Sequence, residues 1–104
     1  MINNRELNSL LLDYYGSLLT NHQVEILDEY FNEDLSLNEI ADNYEISKSA
    51  VQDLIKRSLT QLNEYEKKLG LISKDKKLDE VLLSMEKEDN ELLNKYIKMI
   101  KKVK

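Results

Sequence analysis

Apolar residues recur along the chain at the three- to four-residue spacing of amphipathic helices, and they fall into six segments. The first segment predicts a helix from about residue 6 that ends near Tyr15, where Gly16 and Ser17 interrupt the pattern. Thr20 and Gln23 then have the spacing of a capping box, in which a hydroxyl and a side-chain amide satisfy backbone groups in the first turn of a helix. The pattern therefore predicts a second helix that stops near Asn32. The side chains predicted to face inward from it are Val24, Leu27, Tyr30 and Phe31.

The middle of the chain predicts a short helix followed by a long one. Ser36 and Glu39 repeat the capping-box spacing in front of a two-turn helix, and Ser47 is the next N-cap after a connector of about three residues. The long helix is predicted over 48–69, about 33 Å at ~1.5 Å per residue, with Gly70 as its C-terminal cap. Its apolar stripe is Val51, Leu54, Ile55, Leu59, Leu62, Tyr65 and Leu69.

The last part of the chain is rich in lysine and predicts two further helices. We divide the chain into a domain at 1–72 and a helical C-terminal extension at 73–104. The apolar positions predicted to face inward in the extension are Leu78, Val81, Leu82 and Met85 in its first helix, and Leu92, Leu93, Tyr96, Ile97 and Ile100 in its second.

Composition supports an all-α protein. The 104 residues include no proline and two glycines, with 41% hydrophobic and 34% charged residues, a globular balance. No apolar run approaches the ~20 residues that a bilayer span needs, and the N-terminus lacks the layout of a secretory signal. We therefore expect a cytoplasmic protein without a membrane span.

Charge is distributed unevenly along the chain. Residues 1–60 carry four basic side chains against eleven acidic ones, whereas residues 61–104 carry eleven lysines against nine acidic ones. Because phosphate neutralisation supplies much of the affinity of duplex-DNA binders, this balance argues against strong, autonomous DNA binding.

The most informative pattern lies between residues 35 and 57, where a short capped helix, a turn and a second capped helix predict a helix-turn-helix. Ala41 is small enough for a close helix crossing, and Ile46 is predicted to anchor the turn in the core. Glu45 occupies a position of the turn that often takes a left-handed conformation. The side chains predicted to form the binding face of the second helix are Lys48, Ser49, Gln52, Asp53, Lys56 and Arg57.

These residue types suit contacts with a nucleic acid or a protein. Gln52 has the groups to read adenine, and Lys48 those to read guanine or a phosphate. Asp53 repels phosphate but is able to accept a hydrogen bond from cytosine. In the alternative interpretation the motif is a packing unit, Lys56 and Arg57 belong to a solvated face, and Arg57 pairs with Asp53 at i, i+4.

No pattern of catalytic, metal or cofactor chemistry is present in the sequence. There are no cysteines, and His22 is the only histidine, with no nucleophile patterned around it. Gly16 and Gly70 stand alone rather than in a phosphate-binding loop, and the acidic cluster at 86–91 lacks the ligand spacing of a calcium loop. We therefore expect a binding protein, not an enzyme, with no cofactor.

Several stretches resemble the YlxM family of small bacterial proteins. They are Tyr14 to Thr20 with Gln23, Leu35 to Leu37 with Glu39 to Ala41, Ile46-Ser47, Ala50-Val51, Ile55 to Arg57, and Glu64 to Leu71. The resemblance covers about residues 7 to 72. It implies a helix-turn-helix similar to that of the fourth conserved region of sigma factors, and an accessory or regulatory role in the signal recognition particle pathway, with the particle's GTPase or its RNA as partner.

Two other functions stay open at this point. One is a DNA-binding transcriptional regulator of the sigma-like type, and the other is a structural dimerisation module without nucleic-acid contact. The stripe from Ile55 to Leu69 predicts an exposed seam on the long helix, and hence a homodimer, because a domain of this size has little room to bury both the stripe and the extension.

Overall fold

The computed structural model describes residues 4–103 of the chain, and these residues are helical almost throughout. No β-strand lies among them, and the predicted all-α class is confirmed. The helices are α1 (Asn4–Tyr15), α2 (Asn21–Phe31), α3 (Leu37–Tyr44), α4 (Lys48–Leu69), α5 (Leu71–Lys87) and α6 (Glu91–Val103), with a single 3-10 turn at Gly16–Leu18 after α1.

Side-chain caps fix the starts of α2 and α3. The Thr20 hydroxyl accepts a hydrogen bond from the Gln23 backbone N–H at 3.2 Å, and the Gln23 side-chain oxygen accepts one from the Thr20 N–H at 3.0 Å. Ser36 and Glu39 repeat this reciprocal pair at 3.1 and 3.0 Å. Both predicted capping boxes are confirmed, and each satisfies backbone donors that have no partner inside the helix.

The chain divides into two compact units, residues 1–70 and residues 71–104. In the first unit α4 packs against α1, α2 and α3, so the longest helix is the axis around which the others assemble. The buried apolar side chains of this unit are Leu11, Leu12, Tyr15, Ile26, Leu27, Phe31, Ile40, Ala41, Val51, Ile55 and Leu62.

Polar contacts also join the helices of the first unit. The Gln23 side-chain amide donates to the Ser58 hydroxyl at 3.0 Å and to the Gln61 side-chain oxygen at 2.7 Å, which ties the start of α2 to α4. Ser58 is fully buried, so its hydroxyl needs such a partner. At the other end of α4, the Tyr15 hydroxyl donates to Glu66 at 2.5 Å.

The predicted core of the first unit needs two corrections. Val24 and Tyr30 were expected to face inward but are only half-buried, while Ile26, absent from the predicted stripe, is fully buried. The α4 stripe is not a continuous exposed seam, because Ile55 and Leu62 are buried and Leu69 alone is exposed at its end. The surface that this stripe offers to the predicted homodimer is therefore smaller than expected, and the homodimer stays a prediction.

The second unit is smaller and less completely buried. Its helices α5 and α6 pack against each other and bury Leu82 and Ile97, and α5 begins two residues before the predicted extension. The prediction of inward-facing positions is wrong for three side chains that are more than half exposed, which are Val81, Leu92 and Tyr96. Two helices by themselves have too little facing surface to cover both of their apolar stripes.

Among the helices described at 4–103, none is both long enough and apolar enough to cross a bilayer.

Candidate helix-turn-helix interface

The turn between α3 and α4 has the geometry that the motif requires. Glu45 lies in the left-handed region with φ 54° and ψ 43°, and the backbone N–H of Ile46 donates to the Ala41 carbonyl at 3.1 Å. Ser47 then caps α4, because its hydroxyl accepts from the Ala50 N–H at 3.0 Å. Ala41 is buried where α3 meets α4, as expected for a close crossing.

A contact between α2 and α3 holds the first helix of the motif in place. The Glu29 carboxylate beside the Tyr44 hydroxyl, together with burial of the phenol, raises the pKa of Tyr44 to about 12. Glu25 and Glu33 add to the shift, since negative charges disfavour the phenolate. The Tyr44 and His22 rings also pack edge-to-face, with their centroids 5.4 Å apart. His22 therefore has a packing role here.

All six predicted interface residues lie exposed on the first three turns of α4. Spacing of four residues divides them into two parallel rows along the helix. Lys48, Gln52 and Lys56 form the first row, which spans about 12 Å. The second row consists of Ser49, Asp53 and Arg57. We call the two rows together the α4 ridge.

Within the second row, Asp53 and Arg57 form an ion pair at 3.0 Å, with both side chains mostly exposed. The Asp53 carboxylate is therefore directed toward a cation on its own helix. Lys48 and Lys56, both in the first row, supply the positive charge of the ridge, so its cationic side is the side of Lys48, Gln52 and Lys56. The i, i+4 pairing expected under the packing interpretation is present, and an exposed pair of this kind contributes ~0.5 kcal/mol or less to stability.

Two grooves run beside the α4 ridge. A groove of about 380 Å³ borders Gln52 and Lys56, and its other lining residues are Asn8, Tyr30, Phe31, Leu37, Ile55 and Leu59. A groove of about 570 Å³ borders Arg57 on the other row, with Gln23, Leu54, Thr60 and Gln61. The first has an apolar floor and a cationic rim, and the second is mainly polar at its edges.

Sequence reasoning missed Tyr30 as a member of this site. It assigned the residue to the core, but Tyr30 lines the groove beside Gln52 and Lys56. The Tyr30 and Phe31 rings pack edge-to-face with their centroids 5.0 Å apart, and the guanidinium carbon of Arg5 lies 5.6 Å from the Tyr30 centroid. Helical spacing gave no signal for this, because adjacent apolar pairs such as Ile26-Leu27 and Ile40-Ala41 are buried at both positions.

Across the described helices, no three acidic or histidine side chains come close enough together to hold a metal ion. The site consists of exposed polar side chains on a rigid helix beside partly apolar grooves. Such a surface is suited to binding a macromolecule.

The comparisons with known proteins decide the family. Residues 2–103 match the UPF0122 family, described as "Putative helix-turn-helix protein, YlxM / p13 like". The chain belongs to this family. A UPF0122 protein of Clostridium perfringens is 45% identical over 95 residues, which cover 86% of this chain and 85% of that protein. A UPF0122 protein of Malacoplasma penetrans is 40% identical over 89 residues, covering 86% of this chain and 81% of its own length.

Over a shorter stretch of the chain, the identity to a UPF0122 relative is higher. A UPF0122 protein of Desulforamulus reducens is 53% identical over 66 residues, which is 64% of this chain and 56% of that protein. The resemblance to the YlxM family inferred from short stretches is thus confirmed, and with it the helix-turn-helix family. A helix-turn-helix family fits a binding protein rather than a catalyst.

Proposed function

We propose that this protein is a cytoplasmic, non-enzymatic accessory or regulatory component of the signal recognition particle pathway, and that it binds the particle through the α4 ridge. The observation that carries the proposal is the joint exposure of Lys48, Gln52 and Lys56 beside the apolar groove of Tyr30. The link to the particle itself is supported by the resemblance to the YlxM family.

The geometry of the ridge favours a compact docking contact. Lys48 and Lys56 stand two turns apart at the cationic edge, a spacing of about 12 Å that suits two phosphates or two carboxylates. Between them Gln52 offers both a donor and an acceptor. The groove beside them accepts an apolar side chain from the GTPase or an unstacked base from the RNA, with Tyr30 available for stacking.

A direct test is calorimetric titration of the full chain with the purified particle, with its GTPase alone and with its RNA alone. We expect binding to the intact particle and to one of the two components. The variant K48Q/K56Q should weaken binding about tenfold or more, because each charge-assisted hydrogen bond contributes ~1.5 kcal/mol or more.

The matched control is K67Q/K68Q, which removes two exposed lysines from the C-terminal end of the same helix. This control should bind like the unmodified chain. If the intact protein fails to bind the particle, or if the two double variants lose affinity equally, the proposal is wrong.

The second candidate is a DNA-binding transcriptional regulator of the sigma-like type. The helix-turn-helix family and the left-handed turn at Glu45 favour it, whereas the acidic balance of residues 1–60 opposes it. Retardation of genomic fragments across a salt series separates the two, because a true DNA ligand gives sequence preference and a steep loss of affinity with salt.

A structural dimerisation module is the third candidate. It is favoured if charge reversal at Lys48 and Lys56 leaves every measured interaction unchanged. The homodimer stays a prediction, and light scattering at tens of micromolar tests it.

A further inference from the structure

The helix α6 exposes a continuous apolar stripe that no described contact within its own unit covers. Leu92, Tyr96, Met99 and Val103 are all more than half exposed, and they follow one another at the four- and three-residue spacing of one helix face. The opposite edge of the apolar face is occupied, because Ile97 is buried in the contact with α5. An apolar helix face thus extends beyond the part that α5 covers.

Lysines border this stripe on its outer side. At 100° per residue, Lys95, Lys98 and Lys102 follow one another on the flank of α6 next to Met99, away from Ile97. Lys101 lies toward the other flank, where it pairs with Glu86 of α5. The helix carries four lysines against one glutamate. Its exposed surface is therefore both apolar and cationic.

The stripe opens into an apolar groove between the two helices. This groove of about 590 Å³ is lined by Leu78, Tyr96, Met99, Ile100 and Val103. Leu78 and Ile100 are half-buried and form its floor, while Tyr96 and Val103 stand at its rim. The apolar surface of the second unit is thus wider than a single helix row.

We propose that α6 is an interfacial helix that binds anionic lipid surfaces, with the stripe of Leu92, Tyr96, Met99 and Val103 entering the acyl boundary and the flanking lysines meeting the headgroups. An amphipathic helix with a lysine-rich polar face and a large apolar face has this affinity. Lysines beside the stripe reach anionic headgroups while their stems lie along apolar surface.

The lysines of α6 favour an anionic lipid surface over a second copy of the chain or a nucleic acid. A second copy docked through the same stripe would bring two sets of lysines together, and like charges at an interface oppose association. A nucleic acid would neutralise the lysines but leave the apolar stripe in water. An anionic membrane surface satisfies both features at once. This inference uses residues outside the α4 ridge and does not depend on the proposed function.

The test is co-sedimentation of the full chain with vesicles of phosphatidylglycerol and phosphatidylcholine, compared with vesicles of phosphatidylcholine alone. We expect partition into the anionic vesicles only, weakening as salt is raised. The variants L92Q/M99Q and K95Q/K102Q should each lower the partition coefficient about tenfold or more, because the first removes apolar contact and the second removes cationic contact with the headgroups.

Matched controls keep the result specific. The variant L69Q/L83Q removes two exposed apolar residues outside the stripe, and K67Q/K68Q removes two exposed lysines outside α6. Both controls, and the ridge variant K48Q/K56Q, should partition like the unmodified chain, with helix content by circular dichroism unchanged in all variants.

Three results would overturn the proposal. The first is equal sedimentation with both vesicle types or with neither. The second is an equal loss in the stripe variants and their controls. The third is a combination of two observations: the chain does not bind vesicles, and light scattering shows a dimer that the L92Q/M99Q substitutions dissociate. That combination would assign the stripe to a second copy of the chain.

Discussion

The two compact units bury their apolar residues to very different extents. Among the described residues, the first unit has eleven buried apolar side chains and exposes three large ones, Leu7, Leu18 and Leu69. The second unit buries three and exposes seven, although it has half the length. Three helices around a central α4 enclose a core, whereas two helices alone leave their outer faces in contact with solvent.

The polar contacts of the units differ in the same way. In the first unit, buried or half-buried groups such as Ser58 with Gln23 and Tyr15 with Glu66 link separate helices. In the second, α5 and α6 are linked by the Lys101–Glu86 pair at the surface. A partly buried hydrogen bond contributes more to stability than an exposed ion pair, so the first unit is the more rigid support for a site.

The largest expected effect comes from a cavity in the first core. Ile26→Ala should lower the free energy of unfolding by about 2–5 kcal/mol, because Ile26 is fully buried and its removal leaves a void. Leu83→Ala in the exposed surface of α5 should change it by about 0.5 kcal/mol or less. Urea denaturation followed by circular dichroism measures both. Similar losses for the two variants would contradict the contrast between the units.

A smaller effect is expected at the contact between α2 and α3. Tyr44→Phe removes the hydroxyl that lies beside the Glu29 carboxylate and should cost about 1 kcal/mol at neutral pH. Lys101→Gln, which breaks the surface pair of the second unit, should cost ~0.5 kcal/mol or less. Urea midpoints of both variants provide the comparison. A greater loss from Lys101→Gln would reverse the ranking of the two contacts.

The same tyrosine predicts a pH dependence. The pKa of Tyr44 is about 12 in the folded chain and 10.0 ordinarily, so the folded state favours the neutral phenol. Its contribution is fully present below pH 10 and is lost as the pH rises toward 12. The stability difference between the unmodified chain and Tyr44→Phe should shrink over this interval in urea titrations. A difference that stays constant would exclude the proposed ionisation.

Changes of opposite sign, each about 1 kcal/mol or less, are expected at two left-handed helix ends. Gly70 closes α4 with φ 62°, and Glu45 closes α3 with φ 54°. Gly70→Ala should lower the free energy of unfolding by about 1 kcal/mol through backbone strain alone, since an added Cβ would meet no atom within 4 Å. Glu45→Gly should raise it by about 0.5 kcal/mol for the same reason. Thermal unfolding measures whether each substitution raises or lowers stability. If Glu45→Gly destabilises the chain, the Glu45 side chain contributes more to stability than its left-handed backbone conformation costs.

Local signals explain why the first unit was predictable in detail. The bounds of α4 at Lys48–Leu69 follow from Ser47 and Gly70, and the starts of α2 and α3 follow from their capping boxes. Exposure of the six ridge residues followed from helical spacing, because the buried positions Val51 and Ile55 fix which side of α4 faces outward. These features depend on neighbours within about four residues.

Other features depend on contacts between distant segments. The groove beside Lys56 forms only where α1, α2 and α3 approach α4, so Tyr30 could not be assigned to it from spacing. The exposure of Leu92 and Tyr96 likewise depends on how little surface α5 offers to α6. A helical pattern identifies an apolar face, but it does not show whether a neighbour covers it.

The sequence by itself determined the helices, their caps, the left-handed turn and the outward side of α4, because these depend on backbone hydrogen bonds and on residues a turn apart. Only the tertiary structure decided that most of the α4 stripe is covered and that the α6 stripe is exposed. The physical reason is that burial depends on the total facing area of helices far apart in the chain.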